Sequence, residues 1–137
     1  MNKQLSIEKI LWVKRGQGIC ATGRIPKEAE FFQDHFPGFP VLPGVLALEM
    51  LRQTAQAYLY HVGGEIKKQI ISFKQIRATK FSIYLKPGDL WEAQLTLTGE
   101  EGEDSHWEGR LIHEGQTAVS SRFILKCVKA PELAQVF

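Results

Sequence analysis

A chain of 137 residues supports one hydrophobic core and is too short for two, while 44% hydrophobic and 23% charged residues exclude a disordered chain. Seventeen Lys and Arg against fifteen Asp and Glu leave a net charge of +2, and the absence of a basic tract argues against a nucleic-acid partner. Cys20 and Cys127 are too few and too widely spaced for a disulfide scaffold or a zinc module, which fits a reducing cytoplasm. The start Met1-Asn2-Lys3-Gln4-Leu5 shows no apolar stretch with a cleavage site, and no window approaches the about 18 apolar residues of a membrane span, so neither export nor an anchor is expected.

Residues 5–14 and 17–25 alternate apolar and polar side chains around Arg15-Gly16, which predicts a hairpin of two strands. Residues 44–60 follow Pro43 and hold no interior Gly or Pro, which predicts one long helix. Val45, Leu46, Leu48, Met50, Leu51, Ala55, Ala57, Tyr58 and Leu59 ring it almost completely, so it is expected to be buried on most sides, in part by a second subunit. Strands are expected near 66–76, 78–86, 90–99, 105–113 and 117–127, with turns at Lys86-Pro87-Gly88-Asp89, Glu101-Gly102-Glu103-Asp104 and Glu114-Gly115. One helix among many strands excludes a doubly wound parallel sheet and predicts an α+β domain over 1–137, with an antiparallel sheet wrapped around the helix.

The densest chemical signal is the run from Phe31 to Gly44, in which Pro37, Pro40 and Pro43 stiffen the loop after His35. On the following helix Glu49, Arg52, Gln53 and Gln56 fall at i, i+3, i+4 and i+7, one polar stripe on an apolar rod. Two readings stay open at this point. The stripe faces water, with Glu49 and Arg52 as an exposed pair worth a few tenths of a kcal/mol, or Glu49 is a carboxyl at the edge of an apolar cavity, kept protonated by desolvation. In the second reading His35 is a base, Glu49 an acid, and the Gly44 amide at the positive helix end a site for a carbonyl oxygen. That set suffices to remove a proton beside a carbonyl and expel a β-substituent.

The stretch His35-Phe36-Pro37-Gly38-Phe39-Pro40-Val41-Leu42-Pro43-Gly44-Val45-Leu46-Ala47-Leu48-Glu49, followed by Gln53, resembles the signature of the β-hydroxyacyl-(acyl-carrier-protein) dehydratases of the FabZ group. Phe73 to Phe81 and Leu85-Lys86-Pro87-Gly88-Asp89 are similar to that family's later strands and turn, so the likeness covers roughly residues 27–127. The resemblance implies a hot-dog fold, a homo-oligomer built on dimers with His35 of one chain facing Glu49 of the other, and dehydration of (3R)-3-hydroxyacyl chains on an acyl carrier protein. It implies His35 and Glu49 as catalytic residues, Gly44 as the oxyanion site, Gln53 as a group orienting the carboxyl or simply part of a polar face, and neither metal nor cofactor. A hot-dog acyl thioesterase and a non-catalytic acyl-binding subunit are the alternatives.

The chain departs from that family at its N-terminus, at Leu42, and at Met50 and Arg52, where smaller residues are common. Lys67, Lys68, Lys74, Arg77, Lys80, Arg122, Lys126 and Lys129 are candidates for a patch that steers an acidic carrier. His61, His106 and His113 lack a catalytic context, and Phe81 and Tyr84 are read first as packing residues.

Overall fold

The computed structural model describes residues 7–27, 41–63 and 69–129. Strands β1 (Lys9–Lys14) and β2 (Gly18–Arg24) form the expected hairpin, α1 (Gly44–Gly63) follows, and β3 (Gln69–Phe81), β4 (Leu90–Glu101), β5 (Asp104–His113) and β6 (Gln116–Lys129) complete the sheet. All neighbouring strands are antiparallel in the order β1-β2-β4-β5-β6-β3. This is the α+β arrangement of one helix against one wrapped sheet, with β1 and β3 at its edges.

The inner face follows from the strand period of two. Pairs such as Ile19 with Leu95, Ala93 with Leu111 and Trp107 with Phe123 are buried, while Glu92, Gln94, Glu108, Arg110 and Arg122 share the other face. There Arg110 donates to Gln94 and Arg122 pairs with Glu108 at 3.2 Å. The helix meets the inner face through Ala47, Met50, Leu51, Thr54, Ala55, Tyr58 and Leu59, a stripe at i, i+3, i+4 and onward. Close contact depends on Gly109, where a Cβ would stand 2.7 Å from Leu95 Cδ1, 3.2 Å from Phe123 Cε1 and 3.3 Å from Leu51 Cδ2. The missing side chain lets Leu51 reach the sheet. Tyr58 fixes the other end of the helix: its ring meets Trp107 edge-on at 5.2 Å, and its hydroxyl oxygen accepts the Gly16 N–H at 2.7 Å.

One expectation is met in part and one is corrected. Within one chain the helix is exposed at Val45 (73%) and half-buried at Leu46, Leu48 and Ala57, the surface that the expected second subunit would cover. The strands expected near 66–76 and 78–86 are a single strand, β3, that ends at Phe81. Its register shifts between Arg77 and Lys80, and Ala78 stands at φ 52°, so a bulge bends the ladder without ending it. Residues 82–89 carry no strand.

The segments on either side of residues 28–40 are both tied to the stretch 85–89. Ile25 N–H donates to Asp89 O at 2.8 Å, Gly88 N–H to Ile25 O at 2.7 Å, and Leu42 N–H to Leu85 O at 2.7 Å. Asp89 closes its own turn by accepting the Lys86 N–H at 2.8 Å.

Candidate active site

The polar stripe of α1 is a connected cluster beside the buried stripe. Arg52 donates from Nε to Glu49 Oε1 at 2.6 Å and from Nη2 to Glu49 Oε2 at 2.7 Å. Its Nη1 donates to Gln56 Oε1 at 2.8 Å and to the Ile71 carbonyl of β3 at 2.9 Å. Gln53 Nε2 donates to Glu49 Oε2 at 3.1 Å. Side-chain exposure is 15% for Arg52 and 31% for Glu49, so the pair does not stand in open water, and the carboxyl is half-buried as a group at the edge of a cavity would be.

The contacts within this chain favour the ionised form of Glu49, the opposite direction from the expected un-ionised acid. The hydrogen bond from Arg52 holds the carboxyl below its ordinary range, with Gln53 adding to it, against the opposing effect of burial. Arg52 is raised in turn, chiefly by its bond to Glu49. A two-pronged, charge-assisted contact outweighs partial desolvation because each carboxylate oxygen receives its own N–H.

Gln53 is 4% exposed, and its Oε1 has no partner among the described residues. A buried amide acceptor left over beside a carboxylate is a place for a donor on a ligand or a water. Gly44 is the first residue of α1. Leu46 and Ala47 both donate to Pro43 O, which leaves the Gly44 and Val45 amides as those without an intrahelical acceptor. A Cβ on Gly44 would stand 3.0 Å from Phe81 Cε1 and Cζ. The ring of Phe81, 49% exposed, therefore lies against the helix start. Sequence reasoning treated Phe81 as packing and gave Arg52 no role beyond a surface pair; the helical spacing from Glu49 pointed to their bond, whereas the reach of Arg52 to β3 left no mark in the sequence.

His35 lies outside the described residues, so the structure brings together Glu49 and Gln53, near Gly44 along the same helix, and leaves His35 without a described position. Lys67 and Lys68 lie outside as well, as does the side chain of Lys129. Lys74 is engaged by Asp104 and Arg122 by Glu108, while Arg77 stands opposite Arg122 in the ladder. His61 is exposed, and His113 Nδ1 is bonded to Leu90 O at 2.7 Å. No helix among the described residues is long and apolar enough to cross a membrane.

The profile of the ApeI-like family, described as ApeI dehydratase, matches residues 12–122. The 3-hydroxyacyl-(acyl-carrier-protein) dehydratase FabZ of Oceanobacillus iheyensis is 30% identical over 114 residues, 83% of this chain and 81% of the relative. The FabZ of Staphylococcus aureus is 31% identical over 116 residues, 85% of this chain and 79% of the relative. Among solved structures, the dehydratase heterocomplex ApeI:P of Xenorhabdus doucetiae superposes with a TM-score of 0.79 at 17% identity, covering 99% of this chain and 91% of that one. A probable thioesterase of Bartonella henselae superposes with 0.65 at 14% identity, covering 84% and 93%. The shared architecture is the hot-dog fold, and the chain belongs to the ApeI-like family of dehydratases related to FabZ.

Proposed function

We propose that the chain dehydrates (3R)-3-hydroxyacyl thioesters, carried on an acyl carrier protein in fatty acid biosynthesis, to trans-2-enoyl thioesters in the cytoplasm. The observation that carries this reading is a helix carboxylate, Glu49, gripped by Arg52 and Gln53 about one turn and a half beyond the Gly44 amide, which has no intrahelical acceptor, in a chain whose family is one of dehydratases. The Gly44 amide polarises the thioester carbonyl and makes the C2 proton removable. With Glu49 ionised, the carboxylate is the group that takes this proton, and His35, as imidazolium, gives one to the hydroxyl leaving C3. The C2–H and C3–O bonds break, the C2–C3 double bond forms and water departs, so the pair carries one proton before and after. This exchanges the roles expected from the sequence. Gln53 orients the carboxylate through Nε2 and offers Oε1 to the substrate hydroxyl.

The partner of this reading is a second copy. β3 is the last strand of the sheet and exposes Ile70, Ile76 and Phe81. An edge that is unpaired among the described residues and exposes apolar side chains suits pairing with another β3, which removes the edge; in the proposed reading the paired chains share a site, His35 of one with Glu49 of the other. The Xenorhabdus doucetiae dehydratase of the same fold is found in a heterocomplex, which supports assembly with another subunit.

The test is incubation of the full chain with 3-hydroxybutyryl and longer thioesters, followed by enoyl absorbance and free thiol. Glu49→Gln and His35→Ala each lower enoyl formation by at least about a hundredfold, as expected for loss of a positioned acid or base, and mixing the two variants restores part of it. Unaltered dehydration by Glu49→Gln refutes the assignment. One observation favours a second reading, thioester hydrolysis: an ionised carboxylate with an open amide acceptor beside it can hold and activate a water. Release of free thiol without enoyl product selects it, and binding without either product selects a non-catalytic acyl-binding subunit.

A further inference from the structure

Arg52 does more than neutralise a neighbour. Its guanidinium spends Nε and Nη2 on the two oxygens of Glu49 and Nη1 on Gln56 and on the Ile71 carbonyl, so one side chain spans two turns of α1 and crosses to β3. A surface pair of long side chains contributes little because each must be immobilised for one weak contact. Here the side chain is 15% exposed, its guanidinium is fixed from three directions, and the planar fork matches both carboxylate oxygens, which an ammonium group cannot do. The crossing matters because α1 and β3 have no covalent reason to keep a fixed offset, and β3 is bent by the bulge at Ala78.

We propose that Arg52 is a positioning residue: it locks the Glu49 carboxylate in one orientation and ties it to the backbone of the edge strand at Ile71, so that β3 sets where the carboxylate stands. This rests on the dehydratase reading for its catalytic consequence and on the ion pair alone for its structural one. Among the described residues the groups that act on the carboxylate are Arg52 and Gln53 of α1, with Tyr60 acting on Arg52, and β3 contributes the uncharged Ile71 carbonyl. A misplacement of a catalytic group by a fraction of an ångström lowers turnover more than affinity.

The experiment compares wild type, Arg52→Gln and Arg52→Lys in two readouts: steady-state dehydration, and the NMR titration of the Glu49 side-chain carboxyl in the full chain. Arg52→Gln lowers kcat by about tenfold or more with KM within about threefold, and its Glu49 midpoint moves upward. Arg52→Lys keeps the charge and loses the fork, so its midpoint stays near wild type while kcat falls part of the way. Wild-type kcat in Arg52→Gln, or an unmoved Glu49 midpoint, overturns the proposal. Should Arg52→Gln fail to fold, Arg52→Lys decides: full kcat without the fork overturns it. Should the wild type dehydrate no thioester, the functional reading fails, and the clamp stands or falls on the NMR midpoint alone.

Discussion

Replacing Gly109 by Ala tests the close approach of the helix to the sheet. The added methyl would meet Leu95 Cδ1 at 2.7 Å with Phe123 Cε1 at 3.2 Å and Leu51 Cδ2 at 3.3 Å. Leu95 is 1%, Phe123 2% and Leu51 0% exposed, so no neighbour can swing into open space. Overpacking of this kind costs about 1–3 kcal/mol. Against it stands the smaller entropy of the unfolded chain when Ala replaces Gly, about 0.4–1 kcal/mol, for a net loss centred on about 1.3 kcal/mol. Gly99 supplies the internal control: a Cβ there meets nothing nearer than His106 Cβ at 3.9 Å, so Gly99→Ala keeps the entropic gain without the clash. In urea unfolding at one fixed protein concentration, Gly109→Ala lowers the midpoint by about 0.5–1 M with an unchanged slope, and Gly99→Ala leaves it level or raises it. A Gly109→Ala midpoint at or above wild type refutes the close approach of Leu51 to the sheet.

Tyr58→Phe removes the oxygen that accepts the Gly16 N–H and costs about 1–2 kcal/mol in the same assay, since the amide loses its protein partner. Asp89→Ala removes the acceptor of the Lys86 N–H, and urea unfolding should show a loss of about 1 kcal/mol. Burial, with Glu92 beside it, pushes the Cys20 thiol up to about 11, so an alkylating reagent at pH 8 labels Cys20 only after denaturation, and prompt labelling at Cys20 itself, located by peptide mapping apart from the half-buried Cys127, refutes its burial. Because Arg52 depresses Glu49 in the folded state, the carboxylate adds stability above the unfolded glutamate value that disappears as pH falls through the folded one. The stability gap between wild type and Glu49→Gln therefore narrows in acid and is widest near neutrality.

The parts of this architecture that were legible in the sequence are those set by local chemistry. Pro43 before an unbroken run of helix formers marked the start of α1, and Glu114-Gly115, both at positive φ, marked the tight turn between β5 and β6. The bulge in β3 was hidden because Ala78, at φ 52°, is not a residue that announces a left-handed conformation; the pattern read as two strands because the alternation slips there. The exposure of Val45 within one chain was hidden because its side chain carries no sign of which element covers it. At the site, the i, i+3 and i+4 spacing foretold the contacts of Glu49 with Arg52 and Gln53. The direction in which Arg52 pulls the carboxyl was not legible because composition cannot reveal that Arg52 folds over Glu49 instead of reaching for solvent.

That last point bears on how a hot-dog helix can carry charge at all. The buried stripe from Ala47 to Leu59 and the polar stripe from Glu49 to Gln56 run side by side on α1, and Gln53 belongs to both, being buried at 4% exposure and bonded to Glu49. A lone carboxylate in that position would rise in pKa to avoid desolvation, which is how a neutral acid is made in an apolar slot. Arg52 reverses the outcome by supplying two donors to the carboxylate, at the cost of bringing a second charge into the same half-buried place. That second charge is tolerable only because Gln56 and the Ile71 carbonyl take up the remaining Nη1 hydrogens. The Ile71 carbonyl therefore enters the electrostatics of the site without touching a substrate. Any change that shifts β3, such as straightening the bulge by deleting Ala78, should loosen Arg52 and raise the Glu49 titration midpoint in NMR even though Glu49, Arg52 and Gln53 are all intact. An unmoved midpoint in that deletion variant, with the fold retained by circular dichroism, would show that the helix alone holds the pair.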